Sequence, residues 1–541
     1  MSSPADPEVQ GNKLKLDALA QVEDYSGDGP SATQIASTRG QPVTSKKELW
    51  AYYLLYNGNN GTAINVLMLG ALLPQVLFAA GVDSTTGEKC DGGHPSTCVI
   101  NGLNYSSWTY LTQGICFAIQ MILFVTIGSM ADHQRWGYWF LLFFNVSCIA
   151  VHFLFLIPNM DWMAVSALTS IANILYGGTL VFYWCIFPRL AQNIPEVRQA
   201  IDESKPALEV ERLTSAAKSH ISAVSTAWSN VGYLALTAIL SLAGLSSTYK
   251  ENSYLSNNIG IVVCAVFWII SAIPYIFWSQ NRSGPPKPPG SNYLTLGLKR
   301  NWFALKEAKK LKQLFKYLLA YFILSDGIST INAILGVFQN QAAKFIDPTT
   351  FVVTVNLVGA FCSIIGCFGM LYVQKYFRLS SKIMLLFIIV GSLFQAVWGL
   401  IGTWTDSIGY HNMWEIYFFY IINGIFTAPY WAYAGTVLSE LIPRGHEAQF
   451  FGLMGFMNKA SAWIGPFIIT AIQEASGNQS LPWVFVVCIF VLSIFLILWV
   501  DIDSAKVDAD EYLRQEARQR EISSGLVPVT PGVASDKVEE S

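Results

Sequence analysis

Two charged side chains stand where charge is hardest to hold. Asp326 falls about twelve residues into an apolar stretch that begins near position 314, and Lys459 nine residues past Phe450, where another begins. At about 1.5 Å per residue both reach the middle of a bilayer core roughly 30 Å thick. A carboxylate at that depth costs about 2.5–3.5 kcal/mol on insertion scales, so it must face a cavity or a partner. Three roles suit Asp326: binding a substrate ammonium, carrying a coupling proton, or pairing with Lys459. Lys459 in turn suits a carboxylate. Nearer the start, Asn57, Asn59 and Asn60 lie within Asn57-Gly58-Asn59-Asn60-Gly61. Their amides can bond freed backbone groups, glue helices together, or take a substrate's carboxylate and amine.

The two clusters are related. AYYLLYNG at Ala51 to Gly58 returns as AYFILSDG at Ala320 to Gly327, with four identities and with Asp326 in place of Asn57. One copy per half indicates a polyhelical membrane protein built by internal repeat. If the halves enclose one cavity, amides on one side and an acid on the other would orient a zwitterion.

These residues need spanning helices to position them. The 541 residues are 52% hydrophobic and only 13% charged, against about 25% charged in soluble domains. Twelve stretches are long enough to cross: approximately 47–80, 109–130, 137–157, 162–187, 219–243, 258–278, 314–338, 350–373, 382–404, 413–438, 450–474 and 482–501. The fold class is therefore all-α polytopic, with twelve transmembrane helices in two six-helix halves. Residues 1–44 read as a disordered cytosolic tail, 45–278 as the first half, 279–313 as a cytosolic connector, 314–501 as the second half and 502–541 as a cytosolic C-terminal tail. Within the connector, Lys299 to Lys316 reads as a basic amphipathic helix on the membrane surface. With a cytosolic N-terminus, 29 of the 33 Lys and Arg lie on the cytosolic side, a strong positive-inside bias that places both termini in the cytosol.

That orientation puts Cys90 and Cys98 in the longest non-cytosolic loop, where oxidising conditions would allow a disulfide. It also puts the glycosylation acceptors Asn104 and Asn478 on the same side. A net charge of −3 argues for no nucleic-acid partner. No nucleophile–base pair, phosphate-binding loop or metal-ligand spacing is present, so no enzyme, cofactor or metal is expected.

Between the second and third stretches runs Gly128-Ser129-Met130-Ala131-Asp132-His133-Gln134-Arg135-Trp136-Gly137. It resembles the G-x-x-x-D-(x)-x-x-R signature of the major facilitator superfamily. The resemblance implies an inner gate in which Asp132, with Arg135, holds the start of helix 11, and a central cavity lined by helices 1, 4, 7 and 10. LWAYYLLYNGNNG from Leu49, AYFILSDGIST from Ala320, SELIPRGHEAQFFGL from Ser439 and NKASAWIGP from Asn458 resemble the fungal vacuolar amino-acid effluxers associated with autophagy. That resemblance implies a glycoprotein of the vacuole membrane that exports amino acids, including bulky neutral ones, to the cytosol by alternating access. Candidate contacts are Asn57, Asn59, Asn60, Asp326 and Lys459. One acid and one lysine fit facilitated efflux or proton-linked exchange. A scaffold protein that keeps a transporter fold, or a facilitator of another small solute, is the alternative.

Overall fold

The computed structural model describes residues 40–90, 98–244, 253–280, 311–342 and 348–523, save 406, 463, 477 and 479, together with 29–30, 34–35, 38 and 282. Twelve crossings follow in order. The first is α1 (Lys46–Gly58), a π-helical segment (Thr62–Leu72) and α2 (Leu73–Ala80). The next five are α3 (Tyr105–Ala131), α4 (Trp136–Leu154), α5 (Trp162–Trp184), α8 (Ala207–Gly244) and α9 (Ser253–Trp278), with short α6 (Phe187–Gln192) and α7 (Pro195–Asp202) before α8. The second half has α10 (Lys312–Ala342), α11 (Pro348–Phe377), α12 (Ser381–Ile401), α13 (Met413–Leu441), the pair α14 (Glu447–Ser461) and α15 (Ile464–Ser476), and α16 (Trp483–Leu498). A polar helix, α17 (Ile502–Ser523), bends away from α16 by 62°.

Nine described segments are each long and apolar enough to span a bilayer, and α16 with α17 makes a tenth. The other two crossings miss that measure for local reasons. α13 interleaves Asn423, Pro429 and several Tyr and Trp with its apolar residues, and the eleventh crossing is made of two shorter helices. Polar caps start several spans: Ser45 takes Glu48 N–H, Asp161 takes Ala164 N–H, and Asn412 forms a capping box with Glu415. The halves join where α3 packs on α14 and α8 on α11.

Four expectations change. The first crossing is not one helix: it breaks at Asn59 to Gly61, where Gly61 has φ 79°. The fifth runs from Ala207 rather than 219, because Pro206 lies just ahead of the helix and leaves it intact. Lys312 and Lys316 belong to α10, while 299–310 of the expected surface helix lie outside the described residues. Part of the expected N-terminal tail is held by the bundle: Gln34 Nε2 donates to Ala207 O at 3.0 Å and Thr44 Oγ1 to Leu190 O at 3.0 Å. The start of α1 and α17 share one face of the bundle, here the terminal face. On the opposite face Cys90 and Cys98 are joined in a disulfide. Beside it, Val82–Asp83, Cys98–Ile100 and Leu103–Asn104 form a small antiparallel sheet.

Candidate functional site

Charge is concentrated where α3 turns into α4. Asp132, fully buried, accepts the N–H groups of Ala448 (2.8 Å) and Gln449 (2.9 Å) in the first turn of α14. Its Oδ1 also takes Arg189 Nη2 at 3.0 Å. The same guanidinium reaches Glu447 Oε2 through Nε and Nη2, both at 3.2 Å. Two carboxylates thus share one cation, and the positive end of the α14 dipole offsets the second. Burial pushes the Asp132 carboxyl up to about 6, with Arg189 pulling the other way. Close approach needs Gly128, since a Cβ there would stand 2.9 Å from Ala448 O.

A second set of bonds closes the same face between α8 and the other half. Ser215 Oγ donates to Glu440, Lys218 Nζ to Ser439 O at 2.7 Å, and Ser219 meets Ser381 at 3.0 Å. Glu211 holds Arg444 at 3.3 Å and, on α17, Lys506 at 3.9 Å. Gln374 links Ser219 (3.1 Å) to the Tyr433 hydroxyl (2.8 Å).

Deeper between the halves lies a cavity of about 390 Å³, within the usual range of roughly 300–1,000 Å³ for small-molecule sites. Asn230 from α8, Asn356 from α11 and Asn423 from α13 supply amides, while Tyr56, Tyr233, Tyr420 and Trp431 supply rings. Ser229, Ser363, Thr226 and Thr427 add hydroxyls, and no lining residue is charged. The lining comes from crossings 1, 5, 8 and 10, so 5 and 8 stand where 4 and 7 were expected.

Twelve crossings in two joined halves agree with solved transporters. The fucose transporter FucP, a major facilitator superfamily protein solved in the outward conformation, superposes with TM-score 0.53 at 11% identity, covering 84% of this chain and 98% of that one. The human organic anion transporter MFSD10 gives 0.51 at 11%, covering 84% and 100%. At the sequence level, the family described as "Vacuole effluxer Atg22 like" matches residues 44–510. The chain belongs to the Atg22-like vacuole effluxer family. Among its relatives, Autophagy-related protein 22 of Coccidioides immitis is 27% identical over 482 residues, covering 80% of this chain and 78% of that protein. Autophagy-related protein 22 of Yarrowia lipolytica is 26% identical, covering 77% and 80%.

In this Atg22-like chain the expected contact residues are spread out. Asn57 Nδ2 donates to Trp228 O (2.8 Å), Asn59 Nδ2 to Thr179 Oγ1 (2.7 Å) and Asn60 Nδ2 to Asn57 O (2.8 Å). All three bond within the first half. Asp326 is 4% exposed and accepts Gly465 N–H at 2.9 Å. Lys459 lies over the Phe117 ring, 4.3 Å from its centroid. Among the described residues Asp326 and Lys459 form no ion pair, and none of the five lines the cavity. At the gate, Arg135 makes no ion pair among the described residues, and Arg189 is the cation Asp132 meets. Arg189 had one sequence signal, a basic residue directly after Pro188 at the end of an apolar run.

Proposed function

We propose that this membrane transporter exports neutral amino acids, bulky ones included, from the vacuole lumen to the cytosol by alternating access, with its terminal face cytosolic. The observation that carries the reading is the uncharged cavity between the halves, lined by amides, hydroxyls and rings, with the bonds Lys218–Ser439, Ser219–Ser381 and Gln374–Tyr433 further along its lining helices. Amides suit a substrate whose ammonium and carboxylate cancel, and the rings suit an apolar side chain. A side chain with a net charge would lose its hydration there without a counterion. In this reading Asn230, Asn356 and Asn423 make the substrate contacts, while Asn57, Asn59 and Asn60 shape the broken first crossing. Asp326 and Lys459 act outside the cavity.

The test is flux from liposomes holding the purified protein and labelled leucine, tyrosine, lysine or glutamate, with and without a pH gradient. Leucine and tyrosine should leave at least tenfold faster than lysine and glutamate. Asn356→Ala or Asn423→Ala should raise KM about tenfold, corresponding to about 1.4 kcal/mol for a lost hydrogen bond. Equal flux of all four substrates, or unchanged KM in both variants, refutes the assignment.

A further inference from the structure

The hydrogen bonds that the cavity's polar groups already make decide what each has left to offer. On α8, Asn230 Nδ2 donates to Thr226 O at 2.9 Å, and Thr226 Oγ1 donates to Ser222 O at 3.0 Å. On α11, Ser363 Oγ donates to Gly359 O at 2.8 Å. A carbonyl can only accept, so these bonds hold the Asn230 amide nitrogen back on its own helix, with Oδ1 at the other end, and spend both hydroxyl protons. What remains for a ligand is chiefly acceptor oxygen. α13 differs. Asn423, Thr427 and Trp431 recur every four residues, hence on one face of the helix, and all three line the cavity. Among the described residues none of them gives its N–H or O–H to another group, and Thr427 Oγ1 is buried without a partner. An amide, a hydroxyl and an indole N–H are therefore available there as donors.

No charged residue lines the cavity, so these dipoles are what distinguishes its walls. An ammonium has only donors to place, and a carboxylate only acceptors. We infer that Thr226 and Asn230, with Ser363, take the substrate's ammonium, while Asn423, Thr427 and Trp431 take its carboxylate. The substrate then lies in one orientation, its ammonium toward α8 and its carboxylate toward α13. This assignment rests on the amino-acid reading above and adds which pole meets which helix. It also accounts for selection: an amine without a carboxylate, or an acid without an ammonium, leaves one set of buried polar groups unpaired, which costs more than a lost bond in water.

The experiment measures binding of labelled leucine to the full-length protein in nanodiscs. Isoamylamine and isocaproate, which are leucine without its carboxylate and without its ammonium, serve as competitors. Thr226→Val should weaken isoamylamine about tenfold, the size of one lost hydrogen bond, and leave isocaproate within about twofold. Thr427→Val should do the reverse. A merely structural role would move both competitors together. If a valine variant does not fold, Asn230→Asp and Asn423→Asp decide on leucine itself. The first sets a negative charge beside the ammonium and should hold leucine at least as tightly as wild type. The second sets it beside the carboxylate and should weaken leucine about tenfold or more. The orientation is refuted if both valine variants weaken the same competitor, if each weakens the other's, or if the two acid variants affect leucine alike. Should wild type bind no leucine, the amino-acid reading falls and the orientation with it; leucine binding with matched variant effects removes the orientation alone.

Discussion

Arg189 concentrates the electrostatics of the terminal face in one side chain. Itself partly exposed, it is the cation for two buried carboxylates, Asp132 and Glu447, and removing one partner from such a cluster costs about 3–5 kcal/mol. A loss of that size moves a two-state balance by roughly a hundredfold or more. Cys185, 3% exposed and four residues before Arg189, is a natural reporter. Arg189→Ala should label Cys185 with a membrane-impermeant maleimide at least tenfold faster than wild type, read by peptide mass. Unchanged labelling would mean that the cluster does not hold this face closed. Sequence reading found Asp132 but paired it with Arg135, three positions away, because a motif records residues adjacent in the chain. The real cation arrives from another helix, and that partnership is set by packing.

At the level of elements, spans were legible and their interruptions were less so. Hydropathy is a local property, and eleven of the twelve expected stretches correspond to one helix or to consecutive helical segments whose outer ends shift by a few residues. The fifth differs more: Gln192–Ser219 reads as a charged, helix-prone loop capping the inner face, whereas from Ala207 it is continuous with α8, which carries Glu211, Ser215 and Lys218 across to the other half. That extension makes a prediction. Glu211→Ala frees Arg444 and Lys506 together, a loss of about 1.5–3 kcal/mol, and should raise Cys185 labelling several-fold, less than Arg189→Ala does. A larger effect than Arg189→Ala would make α8 the principal closure. The second helix of the eleventh crossing starts at Ile464, and Gly465-Pro466 was its sequence signal, since proline suits the first turn of a new helix and disrupts a continuous one; hydropathy alone runs through it. The break in the first was foreshadowed by two glycines within five residues, yet the sequence left open whether its amides face substrate or neighbouring helices.

Across the whole molecule, the closure is one-sided. Described bonds between the halves gather at the terminal face, through Asp132, Arg189, Ser215, Lys218 and Glu211. The N-terminal segment and α17 reinforce that face: Gln34 and Thr44 reach the first half, and Lys506 reaches Glu211 from the second. Both described chain ends can therefore influence whether it opens. Beyond the cavity, the opposite face carries the Cys90–Cys98 disulfide in the loop between the first two crossings.

If the opposite face is lumenal, as proposed above, the bond between Cys90 and Cys98 bears on survival among vacuolar proteases. A single cut between these two residues would leave the pieces joined through sulfur, so the first two crossings would stay tethered after damage. Protein nicked in that loop should run as one intact chain on a gel until a reductant is added, and then separate into two fragments. Migration as two fragments without reductant would show that the tether is not formed.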